Sequence, residues 1–149
     1  MEPVFADYLE RLRALHQEFI AAFDGLPAEA LDWVPGADMN SLCVLVVHTT
    51  GATRYWIGVA LDEIPERDRA AEFRAQGLSA EDLRARFAIV EDDTRQALER
   101  LTLADLTGLR TIPQREWQVT ANWALLHALE HVGLHLGHAQ ITRQLWEAR

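Results

Sequence analysis

The chain has 149 residues, enough for a single domain spanning residues 1–149 that buries roughly two thirds of its unfolded surface. Apolar residues make up 49%, which suits a globule, and 23 acidic against 14 basic side chains leave a formal charge of −9. That sign argues against nucleic acid as a partner, and because every basic residue is arginine no lysine is present to form a Schiff base.

The one cysteine, Cys43, cannot form an internal disulfide, so a reducing, cytoplasmic setting is expected. Met1 leads straight into an amphipathic pattern with no visible signal peptide. Polar groups interrupt every apolar stretch well before the roughly 18 residues that a membrane span needs.

From Pro3 to Phe23 the residues Phe5, Tyr8, Leu12, Leu15 and Phe19 step by three and four, the stripe of a core-facing helix with His16 at its flank. Gly25 and Pro27 end it, and PAEALDWVPG has room for one or two turns before Pro35-Gly36. Asp38 to Ser41 offers caps for a second long helix, LCVLVVHTTGATRYWIGVAL. Its β-branched run also fits a strand, but its length and the lack of a partner strand favour helix. Residues Asp62 to Gly77 are charged and punctuated and read as a long exposed loop. Ser79 to Asp82 resembles a capping box, and the third helix behind it carries Leu83, Phe87, Val90, Thr94, Ala97 and Leu101. Leu106 to Val119, with Gly108 and Pro113, reads as a connector. The fourth helix runs from about Thr120 to Trp146. Four long helices without strands predict an all-α four-helix bundle.

The fourth helix holds His127, His131, His135 and His138 at spacings of four, four and three. At about 100° per residue they share an arc of about 80°. A bland reading leaves them as a solvated stripe while Leu125, Leu129, Val132 and Leu136 on the opposite face enter the core. The alternative is a metal site: imidazoles one turn apart, with a third from another helix, suit a tetrahedral or five-coordinate transition metal. His48 shares a face of the second helix with Leu45, Ala52, Tyr55 and Val59, where it is either a hydrogen-bonded core residue or that third imidazole. No His-Glu-x-x-His, no Glu-x-x-His, no glycine-rich phosphate loop and no nucleophile-elbow serine occurs. Cys43 lies about 140° around its helix from His48 and reads as core.

The elements LDWVPG, VLVVHTTGATRYW and EHVGLHLGHAQITRQL together make the chain resemble the DinB-like superfamily of metal-dependent enzymes. That superfamily includes thiol-dependent S-transferases and mycothiol-dependent maleylpyruvate isomerase. The resemblance covers nearly the whole chain and implies one divalent metal, zinc or nickel, held by His48, His131 and His135. Gly137-His138 matches the step that follows the ligand pair in the family. The isomerases have glutamate where His131 stands, which counts against that chemistry here.

Three neutral imidazoles would leave a dipositive ion its charge and an open position, where a water titrates near about pH 7 and a thiol is deprotonated. With no convincing nucleophile in the chain, the expectation is a transferase that activates a low-molecular-weight thiol for attack on a small electrophile. His138 and His127 are the candidates for orienting substrate or moving a proton, and Tyr55 and Trp56 for lining the pocket. A non-catalytic metal-stabilised binding or stress-response module is the alternative, and a metal-dependent hydrolase a third reading. The double-faced fourth helix also predicts a homodimer.

Overall fold

The computed structural model describes residues 1–113 and 116–149. Its long helices are α1 (Pro3–Phe23), α3 (Leu42–Leu61), α5 (Ala80–Arg100) and α6 (Ala121–Glu147), and the four-residue helices α2 (Ala28–Leu31) and α4 (Arg69–Glu72) lie in the connectors. The long helices form the expected four-helix bundle. α3 starts at Ser41, whose Oγ accepts from the Val44 amide. Nearly all of its side chains are buried, so packing outweighs the modest helix propensity of its valines and threonines. The buried hydroxyls of Thr50 and Thr53 donate back to the carbonyls of Val46 and Thr49. α5 opens on a complete capping box between Ser79 and Asp82.

α1 packs against α5 and α6, and α3 packs against the same two. The order around the bundle is therefore α1, α5, α3, α6, which sets the consecutive pairs α1/α3 and α5/α6 on diagonals. A diagonal step must cross an end of the bundle, which a tight turn cannot do. The connectors 24–41 and 101–120 make those crossings. The core is built from all four long helices, with Phe5, Leu12, Phe19, Leu42, Val46, Leu83, Phe87, Leu98, Ala128 and Val132 each almost fully buried.

Three expectations are corrected. The connector before α6 holds a short antiparallel hairpin, β1 (Leu109–Ile112) and β2 (Trp117–Thr120), with Leu109 opposite Thr120 and Ile112 opposite Trp117. Four residues per strand are too few to show a period, but Ile112 and Val119 turn inward onto the bundle. His16 is not at the edge of the α1 stripe: it is fully buried, and Leu15 is only partly so. The true stripe runs 5, 8, 12, 16, 19, and His16 is accommodated because its Nδ1 meets Oε1 of Glu91 at 2.9 Å. Residues 62–77 are not simply an exposed loop, since they contain α4 and the buried Glu72. Among the described residues no helix is long and apolar enough to cross a membrane.

The chain folds back sharply over the end of α3, where Asp62 adopts a left-handed conformation (φ 61°). Gly58 makes this possible, because a Cβ there would lie 2.7 Å from the Glu63 carbonyl oxygen and 2.5 Å from Cδ of Pro65. Gly133, inside α6, faces nothing within 4 Å. Urea unfolding should therefore show opposite signs: Gly58→Ala loses about 1–3 kcal/mol, while Gly133→Ala gains roughly 0.5–1 kcal/mol. A Gly58→Ala protein of unchanged stability would refute this account of the turn.

Candidate metal centre

His48 lies in the middle of α3, on the side that α6 covers. Its Nδ1 is 2.9 Å from Oε2 of Glu72, and both side chains are buried. A carboxylate can only accept, so Nδ1 carries the proton and Nε2 is the nitrogen left to bind a metal. That ring stands edge-on to two imidazoles of α6, with centroids 5.0 Å from His131 and 4.9 Å from His135. One ligand atom from each of the three rings lies within 4.8 Å of the others.

On α6 the four-residue step brings Nε2 of His131 to 3.2 Å from Nε2 of His135. Two nitrogens bound to one tetrahedral ion at about 2.0–2.1 Å are about 3.3–3.4 Å apart, so this pair is already spaced for shared coordination. Both rings are held neutral. Burial, then the neighbouring His135, His48, His127 and Arg67, lowers the His131 pKa to about 3. Burial, then His48 and His138, lowers that of His135 to about 4. Nδ1 of His131 is buried without a partner among the described residues, whereas Nδ1 of His135 meets Nδ1 of the exposed His138 at 3.3 Å. Three imidazoles converging from two helices, one backed by a carboxylate, fit a divalent transition-metal ion.

Sequence reasoning missed Glu72. Asp68 caps α4 by accepting from the Ala71 amide, and the single turn that follows directs Glu72 onto α3. Arg67 grips the same carboxylate, Nε to Oε1 at 2.7 Å and Nη2 to Oε2 at 2.8 Å. Burial on its own would raise the Glu72 carboxyl, but the hydrogen bonds from His48 and Arg67 and their charges outweigh it and hold it below the usual carboxylate range. Gly51, one turn after His48, provides the space: a Cβ there would sit 2.3 Å from Oε1 of Glu72. That glycine in an otherwise buried, β-branched helix was the only local trace of the contact.

Beside the three imidazoles opens a cavity of about 860 Å³. His48 and His131 stand in its wall, Tyr55, Trp56, Ile64 and Ile112 give it apolar surface, and Arg67 and Arg69 lie along it. His127 also lines it, its ring stacked on Trp123 and edge-on to Trp56. Of the candidates, the structure brings His48, His131 and His135 together, places Tyr55, Trp56 and His127 on the cavity, and leaves His138 on the outer side of His135. Cys43 is buried in the core and lines no part of the cavity.

The chain matches a family model described as the DinB superfamily over residues 11–139. No curated protein matches its sequence. Among solved structures, a conserved protein from Enterococcus faecalis superposes with a TM-score of 0.79 at 17% identity, covering 100% of both chains. YfiT from Bacillus subtilis superposes with a TM-score of 0.77 at 14% identity, over 97% of this chain and 89% of that one. YfiT is described as a probable metal-dependent hydrolase with an unusual four-helix bundle topology. At such identities the superpositions establish the fold, and with the family match over most of its length the chain belongs to the DinB superfamily.

Proposed function

We propose that His48, His131 and His135 hold one divalent ion, zinc or nickel, and that the protein is an enzyme activating a low-molecular-weight thiol for attack on a small electrophile. One observation carries the reading. The three imidazoles converge, two of them, His48 and His131, in the wall of a cavity large enough for a small molecule, and among the described residues that cavity offers no serine, threonine or cysteine. The nucleophile therefore comes from outside. When bound, the ion supplies a dipositive charge and an open position that lower the pKa of a thiol or water toward neutrality.

The remaining steps fall to side chains. Glu72 fixes the tautomer and direction of His48, and Arg67 fixes Glu72. His138 orients His135 through the contact of their Nδ1 atoms. His127 is the one imidazole on the cavity outside the triad, so it can accept the proton of the incoming nucleophile or return one to a leaving group. Trp56 and Tyr55 exclude water from the apolar side of the cavity.

Hydrolysis is the second reading, favoured by the description of YfiT. It needs water in place of the thiol and a base to activate it. Glu72 cannot be that base while both its oxygens are engaged, so the base would come from the cavity wall, where His127, Glu66 and Asp68 stand.

Zinc-loaded protein should contain one equivalent of metal, lost in His48→Ala and His131→Ala when measured by mass spectrometry. Glu72→Gln should retain the metal about 10- to 100-fold less tightly in chelator competition. Unchanged affinity in Glu72→Gln would detach this carboxylate from the site.

The depressed pKa values of His131 and His135 set a pH dependence for the metal-free protein. Unfolded, both rings take up protons near about pH 6.5, whereas folded His131 stays neutral down to about 3 and His135 down to about 4. Below about 6.5 the unfolded chain therefore binds more protons, and stability must fall as the pH drops through this window. Urea titrations at about pH 7 and about pH 5 should show that loss, and a His131→Gln, His135→Gln double variant should show a smaller one. Equal slopes would contradict the assignment.

For turnover, loaded protein is assayed with mycothiol, bacillithiol, glutathione and coenzyme A against a panel of alkylating electrophiles. One thiol should be transferred, and His127→Asn should slow transfer by about a hundredfold or more with metal retained. Turnover of esters or amides with no thiol transfer moves the conclusion to hydrolysis. Absence of both leaves a metal-stabilised binding module.

A further inference from the structure

We propose that Arg69 anchors a carboxylate on the small molecule that occupies the cavity, at the end remote from the metal-binding imidazoles. The inference deepens the function proposed above and rests on it for the position of the reacting end.

Two guanidinium groups lie along the cavity, and they differ in what already holds them. Arg67 is committed: its Nε and Nη2 donate to the two oxygens of Glu72. Arg69 forms no ion pair with any of the described residues; the neighbouring Asp68 spends a carboxylate oxygen on the Ala71 amide. What orders Arg69 is an aromatic ring, its guanidinium carbon lying 4.9 Å from the centre of the Phe73 ring one turn along. A cation–π contact of this kind takes up no N–H donor in an ion pair. An open planar fork matches a carboxylate bidentately.

Phe73 also sets the distance. Its ring packs on His48 with centroids 4.6 Å apart, so the guanidinium stands two ring contacts from the first imidazole of the triad. A molecule that reaches the imidazoles with one end and Arg69 with the other needs a spacer of roughly four to six bonds. Ile64, Pro65, Tyr55 and Trp56 give the cavity apolar surface, and Glu66 and Asp68 also line it. The occupant is therefore a short amphiphile: a metal-seeking group, an apolar spacer and a carboxylate. Glu66 and Asp68 line the same cavity, but among the described residues neither forms an ion pair with Arg69, so its guanidinium remains available to an anionic ligand.

The test is calorimetric binding to zinc-loaded protein and does not depend on turnover. Two matched pairs are compared, mercaptohexanoic acid with mercaptohexanol, and the monohydroxamate of adipic acid with hexanohydroxamic acid. The carboxylate member of each pair should bind about tenfold more tightly, and Arg69→Gln, with zinc content and melting temperature unchanged, should erase that preference. Equal affinities within both pairs, or a preference that survives in Arg69→Gln, would overturn the proposal. A carboxylate preference among hydroxamates with no thiol binding would retain Arg69 and remove the thiol reading. Thiol binding without a carboxylate preference would do the reverse, and binding of no probe would remove both.

Discussion

A buried carboxylate inside a helical bundle is costly unless every oxygen is answered, and at Glu72 both are. One side is met by Nδ1 of His48 and the other by the guanidinium of Arg67, which also reaches across to the first. This arrangement determines more than the carboxylate's own charge. It decides which nitrogen of His48 carries a proton, hence which nitrogen faces α6. It also ties the segment between α3 and α5 down onto α3, so that Ile64, Pro65 and Arg69 come to line the cavity. Without Gly51 the carboxylate would have no room, and without the cap at Asp68 the single turn of α4 would have no fixed start.

The order of helices around the bundle is the second condition. In an up-and-down bundle, consecutive helices are neighbours, and the second and fourth would face each other only across the core. Here α1 and α3 take the diagonal, so α3 packs directly against α6 along most of its length. His48 thereby meets His131 and His135 from an adjacent helix. The cost is two long crossings, and the second of them is used: its hairpin brings Ile112 and Pro113 to the cavity and Trp117 onto Trp56 and Trp123. Connectors that look inefficient as connections serve as walls.

What could be read in advance follows the range of the interactions concerned. The long helices and the histidine face of α6 depend on contacts three or four residues apart, and those leave a period in the sequence. His48 was visible only because α6 supplied partners of the same kind. Glu72 left no such trace, since its partners sit 24 residues before it and five residues before it, and nothing in a charged segment marks one glutamate as buried. The hairpin escaped for a related reason, its four-residue strands pairing only with each other. His16 shows a different limit. Polarity placed it beside the stripe, whereas the backbone period places it within, and a long-range bond to Glu91 offsets the burial.

The same interactions constrain the chemistry. A metal site that hydrolyses needs water and a free base next to it, and carboxylates are the usual bases in such sites. The one carboxylate in contact with this triad is consumed by His48 and Arg67, and its pKa is held low, so it is a weak proton acceptor as well as an occupied one. Three imidazole ligands carry no negative charge, which would leave a cation held by them strongly electrophilic toward whatever coordinates next. A thiol, more acidic than water by several units before any metal is present, requires the least help to ionise. An all-histidine triad whose buried carboxylate, Glu72, is already engaged is thus better matched to a nucleophile that arrives almost ready than to one that must be made in place.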